Sequence, residues 1–343
     1  MQKKHLIAVL FVLLIMTSCK GGSGTQTPIS ELDIRKGFDG LSVELLKNAP
    51  PDKIFEDTPF PLIMRLQNKG ARDVGNDNAF GGILSVGVER DYITMSEDSF
   101  RYLEDKVAMA TDRQSVSFKI KGKSILSPRG EQELVEANLK TKRIGAQSES
   151  RKSNVLVTAC YDYGTKLGTD ICVDTDIYGL RPGQKACKAQ DLNFANGQGA
   201  PVAITKIETR MLPDVDNNIV KPQFMIYIEN KGNGEVIKPG SFPLVCSGQP
   251  LGFKEFNLLS VKGFLSEDEL DCTPTRGTEV DEAADIAFNY IKLKDKKSVI
   301  RCTAKEGIDR NKDAYIAPLR VELDYGYTFT VSKEMTIEKA LRY

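Results

Sequence analysis

The sequence predicts an all-β fold: two tandem immunoglobulin-like β-sandwich domains behind an export signal. Three observations carry that expectation. Short alternating strand patterns are punctuated by Gly, Pro and Asn, and helical runs are few. Several short motifs recur at one fixed offset. The length, 343 residues, suits two domains of roughly 100–200 residues each.

The repeat comes first because it sets the boundaries. Asn68-Lys69-Gly70 returns as Asn230-Lys231-Gly232, and Asp162-Tyr163-Gly164 as Asp324-Tyr325-Gly326. Pro51-Asp52 returns as Pro213-Asp214. Each shift is 162 residues. The apolar pattern between these anchors agrees: Leu62, Met64 and Leu66 fall on Phe224, Ile226 and Ile228, and Val74 falls on Val236. The reading is a signal peptide at 1–18, a modified cysteine and flexible tether at 19–37, one domain at 38–178, a linker at 179–200 and a second domain at 201–343.

Within each copy the strands follow from two-residue alternation. Leu41–Leu46 alternates before a Pro-Pro-Asp turn, and Pro61–Gln67 leads into Asn-Lys-Gly. Phe224–Glu229 does the same in the second copy. Asn and Gly tolerate positive φ, so Asn-Lys-Gly is expected to be a turn or bulge. Val155–Tyr161 and Leu319–Leu323 run into Asp-Tyr-Gly. A hairpin partner is expected after each, at 169–173 and 328–337. A short helix is expected near 97–106. About seven strands and a closing hairpin per copy fit an immunoglobulin-like sandwich, with insertions beyond the usual ~100 residues.

At the N-terminus, Lys3-Lys4 precedes an unbroken apolar run from Leu6 to Met16, then Thr17-Ser18-Cys19. A membrane-spanning helix needs about 20 apolar residues, so this run is too short to span and reads as a signal peptide. Met16-Thr-Ser-Cys19 resembles the prokaryotic lipoprotein lipobox. The resemblance implies cleavage before Cys19, a lipid on that residue, and a protein exported and held to the outer face of the membrane. Lys20–Pro28 is Gly/Ser/Thr-rich and reads as a tether.

Composition excludes several functions. Lys+Arg and Asp+Glu are both 47, so the formal charge is zero. A nucleic-acid partner is therefore not expected, since phosphate binding needs a basic surface. His5 is the only histidine, and it lies in the segment expected to be removed. A Ser-His-Asp or Cys-His nucleophile system and a His-ligated metal are thereby ruled out of the mature chain. Six cysteines remain after Cys19: Cys160, Cys172, Cys187, Cys246, Cys272 and Cys302. An even, widely spaced set in an exported chain reads as three disulfides. Cys160 and Cys172 flank the expected turn at 164–168, and their counterparts at the 162 offset are Glu322 and Glu334. A Cys160–Cys172 bridge is expected; the other four leave three connectivities open.

Other candidates are weaker. Asp174-Thr-Asp176 and Asp309-Arg-Asn311-Lys-Asp313 alternate oxygen ligands like calcium loops, but neither has both the Gly and the Glu of an EF-hand. They read as solvated loop carboxylates. Gly75–Gly82 lacks the Gly-Lys-Ser/Thr ending of a phosphate loop. Tyr161, Tyr163, Tyr325 and Tyr327 sit at equivalent sites. They are read either as exposed contact aromatics or, with preference, as structural tyrosines packing the sandwich.

The strand endings Leu66-Gln-Asn-Lys-Gly70 and Ile228-Glu-Asn-Lys-Gly232, with a Pro-rich entry, resemble CARDB-related immunoglobulin-like domains of prokaryotic surface proteins. Ala159–Thr165 followed by Ile171-Cys-Val173 is similar to closing hairpins of archaeal exported proteins of this kind. The resemblance implies an adhesion, scaffold or envelope-assembly role, with an envelope protein or polymer as partner. It carries over no catalytic, cofactor or metal residues, and no enzyme activity is expected. The alternatives are a surface module binding a carbohydrate or small ligand, or a carboxylate-dependent hydrolase.

Overall fold

The structure, a computed structural model, describes residues 30–102, 105–109, 114–248, 252, 255–275 and 290–340. The first copy contains α1 (Glu31–Ile34), β1 (Leu41–Leu45), β2 (Lys53–Phe55), β3 (Pro59–Asn68), β4 (Gly82–Val88) and β5 (Ile93–Arg101). It continues with β6 (Val107–Met109), β7 (Ser115–Phe118), β8 (Gln132–Thr141) and β9 (Ser150–Val173). The second contains β10 (Leu192–Asn193), β11 (Val202–Asp214), β12 (Ile219–Asn230), β13 (Glu235–Ile237), α2 (Phe242–Cys246) and β14 (Leu258–Leu265). It ends with β15 (Asp268–Glu269), β16 (Asp271–Pro274), β17 (Tyr290–Lys292), β18 (Lys297–Thr303), β19 (Ile308–Asp309) and β20 (Tyr315–Glu338). The fold is all-β, as the sequence predicts.

Each copy has its own small sheet, ordered β1-β3-β8-β5 in the first and β10-β11-β12-β18-β16 in the second. A third sheet, ordered β15-β14-β20-β9-β4-β7-β6, takes strands from both. In β3, Phe60, Leu62, Met64 and Leu66 are buried at every second position. In β12, Phe224, Ile226 and Ile228 are buried in the same way. Side chains two residues apart share a sheet face, and these inward faces join one continuous hydrophobic cluster that also holds the inward face of β9 and β20.

The centre of the shared sheet is a single antiparallel ladder. β9 and β20 pair over 24 residues, from Val173 opposite Tyr315 to Ser150 opposite Glu338. At about 3.4 Å per residue that is a ribbon roughly 80 Å long. The expected hairpins at Asp-Tyr-Gly therefore do not form: each strand runs straight through the motif. Gly164 is not at positive φ. A Cβ there would stand 1.9 Å from Arg72 Nη1 and 2.5 Å from the Leu323 carbonyl oxygen, so the glycine serves close approach and not a turn. Among the described residues of 97–106 the expected helix does not form, because β5 continues to Arg101 and buries Ile93 and Phe100 against the core.

The missing hairpin also overturns the Cys160–Cys172 bridge, since the two residues lie on one continuous strand. Cys160 bonds Cys246, Cys172 bonds Cys187, and Cys272 bonds Cys302. All six candidates are thus used. The first bridge ties α2 onto the face of β9 turned away from the core. The last joins directly opposed residues of β16 and β18.

Candidate functional site: a tyrosine cluster between two clefts

The middle of the ladder sets Tyr161 opposite Tyr327 and Tyr163 opposite Tyr325. All four side chains point into the core and are almost fully buried. Their rings meet edge to face: Tyr161 and Tyr163 at 5.5 Å between centroids, Tyr161 and Tyr327 at 5.9 Å, Tyr163 and Tyr325 at 6.4 Å. This removes the reading of these residues as exposed contact aromatics and supports the structural one.

Each hydroxyl is bound to the backbone or side chains of the loops that close the sheets. The Arg72 N–H donates to Tyr163 Oη (3.3 Å), and Tyr163 Oη donates to Asn68 Oδ1 (3.2 Å). In the second copy the Gly234 N–H donates to Tyr327 Oη (2.8 Å), which donates to Asn230 Oδ1 (3.2 Å). The Leu41 N–H reaches Tyr161 Oη (3.3 Å), and the Val202 N–H reaches Tyr325 Oη (3.4 Å). Asn68 and Asn230 are equivalent at the 162 offset, but their tyrosines are Tyr163 and Tyr327. The structural counterpart of Tyr163 is thus Tyr327, not Tyr325, and that of Tyr161 is Tyr325. The Asp-Tyr-Gly match is displaced by two residues, one pleat period, so the inward pattern hides the slip.

Asn-Lys-Gly is likewise not a positive-φ turn at its Asn or Gly. The Asn68 side chain closes the loop instead, donating from Nδ2 to the Arg72 and Ile120 carbonyls (2.7 and 3.3 Å) and accepting the Gly70 N–H (3.1 Å). Gly70 is required because a Cβ there would lie 1.9 Å from Tyr163 Oη. Asn230 repeats the device on the Gly234 carbonyl and the Gly232 N–H. The sequence carried this signal as the repeated tripeptide, but not the partner.

Burial pushes all four phenols upward. Tyr327 is raised to about 12, with the Gly234 N–H and Asn230 partly offsetting the burial. Tyr163 and Tyr325 are raised further, and burial raises Tyr161 well above the ordinary phenol value. The cluster stays neutral at ordinary pH and offers no base or nucleophile.

Two clefts flank it. One, of about 510 Å³, is polar: Arg72, Asp73, Lys166, Glu322 and Asp324 line it. Arg72 reaches across the copies to Asp324 (2.6 Å), and Lys166 pairs with Glu322 (3.1 Å). The other, of about 480 Å³, is mixed, with Phe38, Val43, Phe329 and Val331 beside Asp39 and Lys231. The clefts occupy corresponding places on the two copies, yet their chemistry has diverged.

The two calcium-like loops meet at one end of the ladder. Asp174 and Asp176 are buried, contrary to the solvated loop expected. The Lys185 ammonium sits against Asp174 (2.9 Å) and the Asp176 carbonyl. Burial raises the Asp176 carboxyl, but the Leu180 and Arg181 N–H groups with Lys185 outweigh it and hold the group low. Thr175 and Arg181 both donate to the Lys312 carbonyl of the partner loop. The Lys185 ammonium thus meets both buried carboxylates, Asp174 and Asp176. No cluster of metal-ligating side chains occurs among the described residues. Cys19 lies outside the described residues. No helix among them is long and apolar enough to cross a membrane.

No family model matches the chain, and no curated protein matches it. Among solved structures it is similar to the cohesin module of a family 33 glycoside hydrolase from Clostridium perfringens, at 14% identity and TM-score 0.21 over 36% of this chain and 82% of that one. It is also similar to the C-terminal domain of an AgI/II polypeptide from Streptococcus agalactiae, at 8% identity and TM-score 0.19 over 88% and 100%. At these scores neither likeness bears on function.

Proposed function

We propose that this chain is a lipid-anchored cell-surface interaction protein of two immunoglobulin-like halves, related in kind to CARDB-type domains, with a scaffold, adhesion or envelope-assembly role and no catalysis. The observation that carries the reading is the ladder of β9 and β20. It welds two copies into one long sheet, as suits a body that presents surfaces at a fixed spacing. The polar groups at its centre are spent on closing loops, which is support rather than chemistry. Three disulfides fit an oxidising, extracytoplasmic compartment. The lipid on Cys19 is the proposed link to the membrane, and an envelope protein or polymer the proposed partner.

One observation favours a second reading, a surface module for a carbohydrate or small ligand: the polar cleft of about 510 Å³ is within the size range of small-molecule sites. Fractionation of cells carrying Cys19→Ser tests the anchor. The variant should be released or left unprocessed; retention with unchanged mass refutes lipidation. Crosslinking in intact envelopes, followed by identification of what is bound, separates a macromolecular partner from a small ligand.

A further inference from the structure

The loop between β7 and β8 ends in a structured apolar tip. Ser124 and Ser127 exchange backbone hydrogen bonds (3.0 and 3.1 Å), and Ser124 Oγ accepts the Ser127 N–H as well. The two residues held between them are Ile125 and Leu126, 60% and 98% exposed. Solvent-facing aliphatics are ordinary when scattered. Here the pair is fixed at a turn and flanked by cations, Lys121 and Lys123 before it and Arg129 after it, with Lys69 on the adjoining Asn-Lys-Gly loop. The Lys123 N–H bonds the Gly70 carbonyl, which holds the two loops together. Lys121 is paired with Asp77 (3.5 Å). Lys69, Lys123 and Arg129 have no carboxylate in ion-pair contact among the described residues.

The position of the tip gives it a partner. Lys123 Nζ lies against the Lys36 carbonyl (3.4 Å), so the loop adjoins the place where the chain enters the fold. From Cys19 to Ser30 the chain advances only eleven residues, which at full extension reach at most about 40 Å. A lipid on Cys19 would therefore keep the entry of the chain into the fold within that reach of the bilayer. Aliphatic side chains at a tip ringed by Lys and Arg match an interface of acyl chains under anionic headgroups.

We propose that the Ser124–Ser127 turn is a membrane-contact loop: Ile125 and Leu126 enter the headgroup region of an anionic bilayer while Lys123, Arg129 and Lys69 meet lipid phosphates. Its closeness to the bilayer rests on the anchoring proposed above. The consequence is a fixed posture, with copy 1 toward the membrane and held by a second point besides the lipid.

The chain contains no Trp, so Leu126→Trp adds a lone reporter. Val215→Trp, at the exposed tip of the β11–β12 hairpin at the far end of those strands from Asn230, is the control. Both full-length variants are placed in phosphatidylglycerol/phosphatidylcholine vesicles with brominated acyl chains. Vesicle flotation reads the anchor separately. Protein that does not float is coupled through the Cys19 thiol to maleimide lipid, so that the tip is read either way. The expected result is a blue-shifted, quenched indole at position 126 and an unquenched one at 215, with the quenching lost on adding Lys123→Glu and Arg129→Glu. Equal, unquenched emission at both positions on vesicle-bound protein overturns the proposal and leaves the anchor standing. Failure to float overturns the anchor and leaves the tip to its own measurement.

Discussion

Replacing Asn68 by Ala should be among the most damaging single changes available in this fold. Its side chain is fully buried and makes four hydrogen bonds, two donated by Nδ2 and two accepted by Oδ1. That is the full complement an amide uses when each N–H and each lone pair finds one partner. A typical internal hydrogen bond contributes about 1 kcal/mol net, and leaving a buried partner unsatisfied costs about 1–3 kcal/mol. The carbonyls of Arg72 and Ile120 lose a donor, and the Gly70 N–H loses its acceptor. A loss of about 3–5 kcal/mol follows, against the 5–15 kcal/mol that is usual for whole proteins. Asn230 makes three such bonds, so Asn230→Ala should cost less, about 2–4 kcal/mol. Tyr163→Phe removes two bonds and should cost about 1–3 kcal/mol. Urea unfolding with disulfides intact, followed by far-UV circular dichroism, gives the comparison from midpoints and slopes. A loss below about 1 kcal/mol for Asn68→Ala, or a larger loss for Asn230→Ala, would show that the asparagines do not lock the loops as described.

Two further outcomes concern the centre of the sheet. The four cluster phenols have folded pKa values raised above the unfolded value near 10, with Tyr327 at about 12. The sign is that of an acid whose neutral form is favoured by folding. Its contribution is complete below pH ~10 and is lost as pH climbs through the folded pKa. Alkaline titration at 295 nm should therefore show four of the 11 tyrosines ionising only as the protein unfolds; smooth titration of all of them near pH 10 with native circular dichroism refutes it. Replacing Cys160 and Cys246 together by Ala opens a crosslink spanning 86 residues. Chain entropy sets the loss at up to about 4–5 kcal/mol, and proteolysis should then cut first around α2; unchanged stability and cleavage would show that the bridge does not hold α2 in place.

The strands, the all-β class and the duplication were legible because two-residue alternation and repeated tripeptides are local signals. Leu62, Met64 and Leu66 show their burial in their spacing, and so do Phe224, Ile226 and Ile228. The ladder was not legible, because a Gly after Asp-Tyr looks like a turn when only neighbours in sequence are considered. What decides Gly164 is the Arg72 side chain, which arrives from 92 residues earlier. Once that glycine is taken for a turn, Cys160 and Cys172 seem to face each other, and the wrong disulfide follows. The tyrosines were found as a set, but their partners were not, since a shift of two residues leaves the inward pattern intact. Lys185 shows the same limit: nothing in Asp174-Thr-Asp176 announces that a lysine nine residues beyond Asp176 supplies the cation.

The 24-residue ladder also fixes an order of events during synthesis. Ser150 finds its partner only in Glu338, and Val173 only in Tyr315. Closing loops of that length is slow compared with forming a local hairpin. A chain made from its N-terminus has β4 and β7 ready to pair beside β9 early, while the opposite edge of β9 waits for β20. The second copy, by contrast, has β11, β12, β18 and β14 in place by the time β20 emerges. Neither copy is therefore complete until β20 has paired along both of its edges.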